Sequence, residues 1–148
     1  MVGKRFDLMK YVILWVRMYY GFHLLFSGLR YLALQTVPPV PHPVGGPFIA
    51  ALDHTGIYHM VKIIETGVGV CLLLNFLVPL VLVVEVPITI VIFILNTFIV
   101  ASGRQLWSGP LEVLLNGSLI VFYAGYYRPL LTWNPKPVPL WILWRKPA

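Results

Sequence analysis

The chain has 148 residues, of which 59% are hydrophobic and only 11% charged, and its mean hydropathy is +0.83. These values lie outside the range of a soluble domain and exclude a disordered polar chain. The net charge of +6 does not mark a nucleic-acid binder, because the basic residues gather towards the chain ends instead of forming one stripe interleaved with exposed aromatics.

In chain order, Lys4, Arg5 and Lys10 precede a first apolar stretch, residues 11–34, which itself carries Arg17 and Arg30. It is too long for a signal-peptide core and lacks a small-residue cleavage signal, so a permanent span is expected. The run Val37-Pro38-Pro39-Val40-Pro41-His42-Pro43 cannot continue a helix, since proline lacks the amide donor and restricts its predecessor. Residues 35–56 are therefore expected to form an outer loop. Within it, the apolar patch from Phe48 to Leu52 before Asp53 suggests a brief helix lying on the membrane interface.

Three more segments, residues 57–74, 79–100 and 106–127, approach the roughly 20 apolar residues that cross a bilayer. The second and third are separated only by residues 75–78, with Pro79 suited to a first helical turn, so they are expected as a tight antiparallel hairpin. Ser108-Gly109-Pro110 reads as the start of the last helix. Residues 128–148, rich in Trp and Pro, follow Tyr123, Tyr126 and Tyr127 as an aromatic tail at the interface.

The expected fold is thus an all-α membrane protein, a single domain of four transmembrane helices in an antiparallel bundle. Residues 35–56 hold no Lys or Arg, whereas both ends do, so both termini are expected in the cytoplasm, of a bacterial inner membrane. Cys71, alone inside an apolar helix, excludes a disulfide framework and a Cys-x-x-Cys redox pair.

Of the five carboxylates, Glu65, Glu85 and Glu112 lie inside these segments, where an unpaired charge is expensive. At about 1.5 Å per residue, Arg17 and Glu85 fall at the same depth and are expected to form a structural ion pair. His23, Glu65 and Asn116 share a middle level, and Arg30, Lys62, Asn96 and Glu112 lie further out. The spacings His59/Lys62/Glu65 and Glu112/Asn116 put each set on one helix face. Asn96 and Asn116 read as interhelical hydrogen-bond glue, and Arg104 as an ordinary loop charge.

The candidate polar cavity therefore comprises His23, Arg30, His59, Lys62, Glu65, Glu112 and Asn116, opening outward and sized for a quinone ring or a lipid head group. A histidine beside a carboxylate there can also relay protons. Haem b is disfavoured because His23 and His59 differ in depth by roughly 10 Å or more. Asp53, His54 and His59 make only a weak metal candidate, and no metal site is assigned.

The first helix carries Arg17-x3-Gly21-x6-Gly28, the second Glu65-Thr66-Gly67-Val68-Gly69, and a tight hairpin follows. In these features, over about residues 8–128, the chain resembles the DoxX-like family of small four-helix membrane proteins. It departs from the family at Arg30-Tyr31, where a lysine is common. The resemblance implies an association with membrane redox systems. The first functional expectation is a non-catalytic accessory or assembly subunit of a larger respiratory or photosynthetic membrane complex, partnered by other membrane subunits and not by nucleic acid. The alternative is a quinone- or lipid-binding redox module with proton transfer through His23 and Glu65. A carrier or channel is the weakest reading, since no internal repeat is seen.

Overall fold

The computed structural model describes residues 2–131 and 133. All regular structure among them is helical, in the order α1 (Val2–Leu34), α2 (Gly45–His54), α3 (Ile57–Leu73), α4 (Val78–Ile94), a π-helical turn (Leu95–Val100), α5 (Gly103–Phe122), α6 (Ala124–Tyr127) and a closing 3-10 turn (Arg128–Leu131). Two helical stretches, Leu8–Leu34 and Val78–Val100, are long and apolar enough to cross a membrane. A third joins them if α2 and α3, bent by 85° at Thr55 and Gly56, count as one span.

Helix α1 starts well before residue 11, the onset read from hydropathy, because Lys4, Arg5 and Lys10 are good helix formers even where they end the apolar run. The expected interfacial helix is α2, longer than the apolar patch that suggested it. Helix α5 begins before the Ser108-Gly109-Pro110 signal, capped at Ser102, whose hydroxyl is hydrogen-bonded to Gln105. It ends at Phe122, where Tyr123 breaks the helix before α6. The Tyr127 hydroxyl then donates to the Pro79 carbonyl at 2.7 Å and fastens α6 to the start of α4. Of the aromatic tail, residues 132 and 134–148 lie outside the described residues.

Helix α1 packs chiefly on α3, and α4 on α5, while α3–α4 and α1–α5 contacts close the arrangement. The α1–α3 contact is backbone against backbone. A Cβ on Gly69 would sit 2.7 Å from the Leu25 amide nitrogen and 2.8 Å from the Gly21 carbonyl, and one on Gly28 would lie 2.8 Å from the Lys62 carbonyl. Small residues at such a crossing let two helices approach where a larger side chain would hold them apart. Facing residues run in opposite directions along the two helices, and continuing that register one turn past Gly21 brings Arg17 opposite Asn75.

Tyr20, Leu24, Val68, Leu72, Val81, Leu82, Leu115 and Leu119 form the buried apolar core, which sits towards the α3–α4 hairpin. The other half of each helix, towards α2, is more open. Around the whole surface large apolar side chains point outward, among them Trp15, Phe22, Ile63, Leu80, Phe98 and Leu114. An envelope of that kind is what a bilayer solvates.

Gly69→Ala is expected to destabilise the protein by about 2 kcal/mol, because the added methyl meets backbone that cannot step aside. Gly67→Ala, on the same helix with open space at its Cβ, is expected to be neutral or stabilising by up to about 1 kcal/mol. Thermal unfolding in detergent, followed by circular dichroism, compares the two.

Candidate functional site

The open half of the structure encloses a cavity of about 560 Å³. Its apolar walls come from α2 (Phe48, Ile49, Leu52) and α4 (Ile88, Val91, Ile92). Its polar floor comes from His23 and Ser27 on α1, Lys62 and Glu65 on α3, and Glu112 on α5. Asn96, Arg104, Gln105 and Ser108 add a second polar patch where α5 meets the π turn.

Local sequence opens this space. Pro87 removes an amide donor in mid-α4 and itself lines the cavity. The π turn carries one extra residue per turn, rotating Asn96 so that its amide donates to Ser108 Oγ at 3.1 Å. Gly109 permits α5 to close on that turn, since a Cβ there would meet Thr97 Oγ1 at 2.5 Å.

Two charged pairs organise the floor. Lys62 Nζ donates to both oxygens of Glu65, at 2.9 and 2.7 Å, and to Ser27 Oγ at 3.0 Å. Ser27 in turn donates to Glu65 Oε2 at 3.1 Å, and the Lys62 ammonium lies 5.2 Å from the centre of the Tyr58 ring. Lys62 and Glu65 are both buried, so the triangle with Ser27 replaces the water that each charge has lost. The second pair joins His23 Nε2 to Glu112 Oε1 at 2.7 Å across α1 and α5. Glu112 is buried, whereas the His23 side chain is 45% exposed, so this pair links the interior to the outer face of α1.

Beneath the floor lies a neutral network. Asn116 Nδ2 reaches Thr89 Oγ1 at 3.2 Å, the Leu82 carbonyl at 3.4 Å and the Tyr20 hydroxyl at 3.5 Å, and the Tyr20 and Thr89 hydroxyls are 3.3 Å apart. It binds α1, α4 and α5 together just below the cavity.

Of the seven residues expected to share one polar cavity, the lining includes His23, Lys62, Glu65 and Glu112. Asn116 is buried one helical turn deeper, while Arg30 is exposed and outside the lining. His59 packs edge-on against Tyr31, with ring centres 5.9 Å apart, and does not reach the cavity. Tyr31 itself donates to Asp53 at 2.8 Å, tying α2 to α1. Among the described residues no group of three or more His, Cys, Asp or Glu side chains is arranged to hold a metal.

One pairing and one placement differ from expectation. Arg17 does not meet Glu85: its guanidinium donates to Asn75 in the hairpin turn, and both Glu85 oxygens are buried without a hydrogen-bond partner. The cause is the α1–α3 register, which presents Arg17 to that turn, and a long side chain reaches towards the polar end of a helix when one is in range. His23 pairs with Glu112, while Lys62 and Ser27 occupy Glu65. Arg104 is no loop charge: it lies in the first turn of α5 and lines the cavity. Ser27 was overlooked as a partner, although it stands four residues after His23 on the same helix face and so was legible from spacing alone.

Removing one partner of the Lys62–Glu65 pair leaves the other charge buried. Lys62→Met is therefore expected to cost about 3 kcal/mol, and the double variant Lys62→Met/Glu65→Met to recover more than half of that loss. A double-mutant cycle of thermal unfolding measures it. Comparison with models of known protein families, with curated proteins and with solved structures found no match to this chain.

Proposed function

We propose that this is a membrane protein of four spans that binds a small amphipathic molecule, a quinone ring or a lipid head group, in the cavity beneath α2. The observation that carries the reading is the mixed cavity lining: charged and hydroxyl groups from α1, α3 and α5 at the floor, and aliphatic and aromatic walls chiefly from α2 and α4, with Leu24, Ile57 and Val61 added from α1 and α3. That lining matches a ligand with a polar head and an apolar tail, and the volume falls within the range of roughly 300–1,000 Å³ usual for small-molecule sites. Arg104 and the His23 ring supply donors for a quinone carbonyl or a phosphate oxygen, the three donors of Lys62 being taken by Glu65 and Ser27.

The four spans are α1, α3, α4 with its π turn, and α5. Helix α5, with 20 residues, measures about 30 Å and matches the hydrocarbon thickness despite Arg104 and Glu112. An even number of spans and the lack of Lys or Arg in residues 35–56 favour cytoplasmic termini, with α2 and the cavity mouth on the opposite side. A DoxX-like assignment, and a bacterial inner membrane as its setting, fit this arrangement.

A second reading, an accessory subunit of a larger membrane redox complex, draws on the outward face of α1. There Trp15, Tyr19 and His23 stack in sequence, with centroids 5.4 and 6.5 Å apart and rings 11° from parallel. Such a flat aromatic ladder suits a neighbouring transmembrane helix. Recovery of the chain alone after purification from native membranes in mild detergent would set this second reading aside.

The cavity reading is tested by titrating purified protein with a short-chain quinone and, separately, by native mass spectrometry for retained lipid. Ile92→Trp, which fills the cavity, is expected to weaken binding at least tenfold, while Val84→Trp on the exposed face of α4 leaves it unchanged. Equal binding by wild type and Ile92→Trp would sink the proposal.

A further inference from the structure

Glu85 is fully buried, 0% exposed, and neither of its carboxylate oxygens has a hydrogen-bond partner among the described residues. Its surroundings can be placed from the network around it. The Asn116 amide bonds both the Leu82 carbonyl and the Thr89 hydroxyl, which flank Glu85 one turn to either side on the same face of α4. The amide therefore stands at the level of Glu85. Asn116 Oδ1 is itself buried without a donor, as is Glu112 Oε2 one turn away on α5.

The unpartnered atoms of α4 and α5 at this depth are thus all acceptors apart from the Thr97 hydroxyl, which lies in the π turn. Within electrostatic range of Glu85, Glu65 on α3 and Glu112 on α5 oppose its charge, and Lys62 on α3 favours it. Lys62 is, however, already shared between Glu65 and Ser27. From α1 come the Tyr20 hydroxyl, engaged with Thr89 and Asn116, and Arg17, turned to Asn75. Among the described residues no cation is hydrogen-bonded or ion-paired to the carboxylate, the Arg17 guanidinium being held at Asn75 with its Nε buried and unpartnered, and an unpaired charge at that depth is too costly to keep. One proton answers both deficits, since it removes the charge and supplies a donor for a lone acceptor.

The geometry points to Glu85 as an intramembrane proton-binding residue, its carboxyl holding an exchangeable proton donated to Asn116 Oδ1, with Glu112 and His23 as the exchange route to the cavity. The route follows the fold: Pro87 and Glu112 line the cavity, and Glu85 and Asn116 lie just beneath them. A proton leaving Glu85 as the carboxylate re-forms is taken up at Glu112. Glu112 passes it through Oε1 to His23 Nε2 at the cavity lining. The inference rests on the membrane reading and not on any ligand of the cavity.

Infrared spectroscopy of ligand-free protein in lipid films at neutral pH tests it directly. The wild type is expected to show a protonated-carboxyl C=O band that moves to lower frequency in D2O, is lost in Glu85→Gln and persists in Glu65→Gln. Asn116→Leu keeps the carboxyl and removes its acceptor, and is expected to raise the band frequency; this variant carries the test if Glu85→Gln does not fold. Glu112→Gln is expected to slow deuterium exchange of the band at least tenfold. A wild type without the band, a band that survives Glu85→Gln, or one unmoved by Asn116→Leu overturns the assignment. A band that appears only when sodium is removed overturns it too, by making the site one for a metal cation, and unchanged exchange in Glu112→Gln overturns the route.

Discussion

The backbone contact between α1 and α3 is the constraint on which the other features depend. Gly21, Gly28 and Gly69 remove the side chains that would separate the two helices, so the backbones meet with Gly21 against Gly69 and Gly28 against Lys62 and Thr66. That register decides three pairings. It sets Ser27 beside Glu65 and Lys62, it presents Arg17 to Asn75 in the hairpin turn, and it leaves Glu85 without a basic partner. Steric complementarity between two helices thus determines which charges of the interior are compensated.

The three interior carboxylates differ accordingly. Glu65 has a full set of donors, Glu112 has one oxygen satisfied by a half-exposed histidine, and Glu85 has none. All three are buried, so what separates them is the number of donors each one has. In a medium where water cannot relax around a charge, the difference between a paired and an unpaired carboxylate amounts to several kcal/mol, enough to separate a structural group from a titrating one.

Hydropathy made the long apolar segments legible, and the α3–α4 hairpin followed from a connection too short for anything else. Periodicity also found the polar face of each helix, so Lys62, Glu65, His23 and Glu112 were recognised as inward or cavity-facing. Pairing was not legible, because depth counted from hydropathy boundaries carries an error of about a turn, which is the spacing between alternative partners. Arg17 with Glu85 failed on that scale. Arg104 failed differently: α5 starts earlier than its proline signal, and one more helical turn carries an apparent loop charge to the cavity.

The cavity exists because the helices cannot close over it. Pro87 and the π turn leave the α2-facing half of α4 irregular, and α2, set at 85° to α3, roofs the gap instead of entering it. Charged side chains on the floor oppose collapse as well, since Lys62, Glu65 and Glu112 are held in place by hydrogen bonds that apolar packing would have to break. The hairpin half, by contrast, is centred on a cluster of aliphatic and aromatic side chains and packs shut. The boundary between the two halves falls at Tyr20, Thr89 and Asn116, a hydrogen-bonded layer with acceptors to spare. A lone carboxyl in that layer has the dry core below it and the polar cavity above. Proton exchange with the cavity is therefore the one direction in which its charge can be relieved.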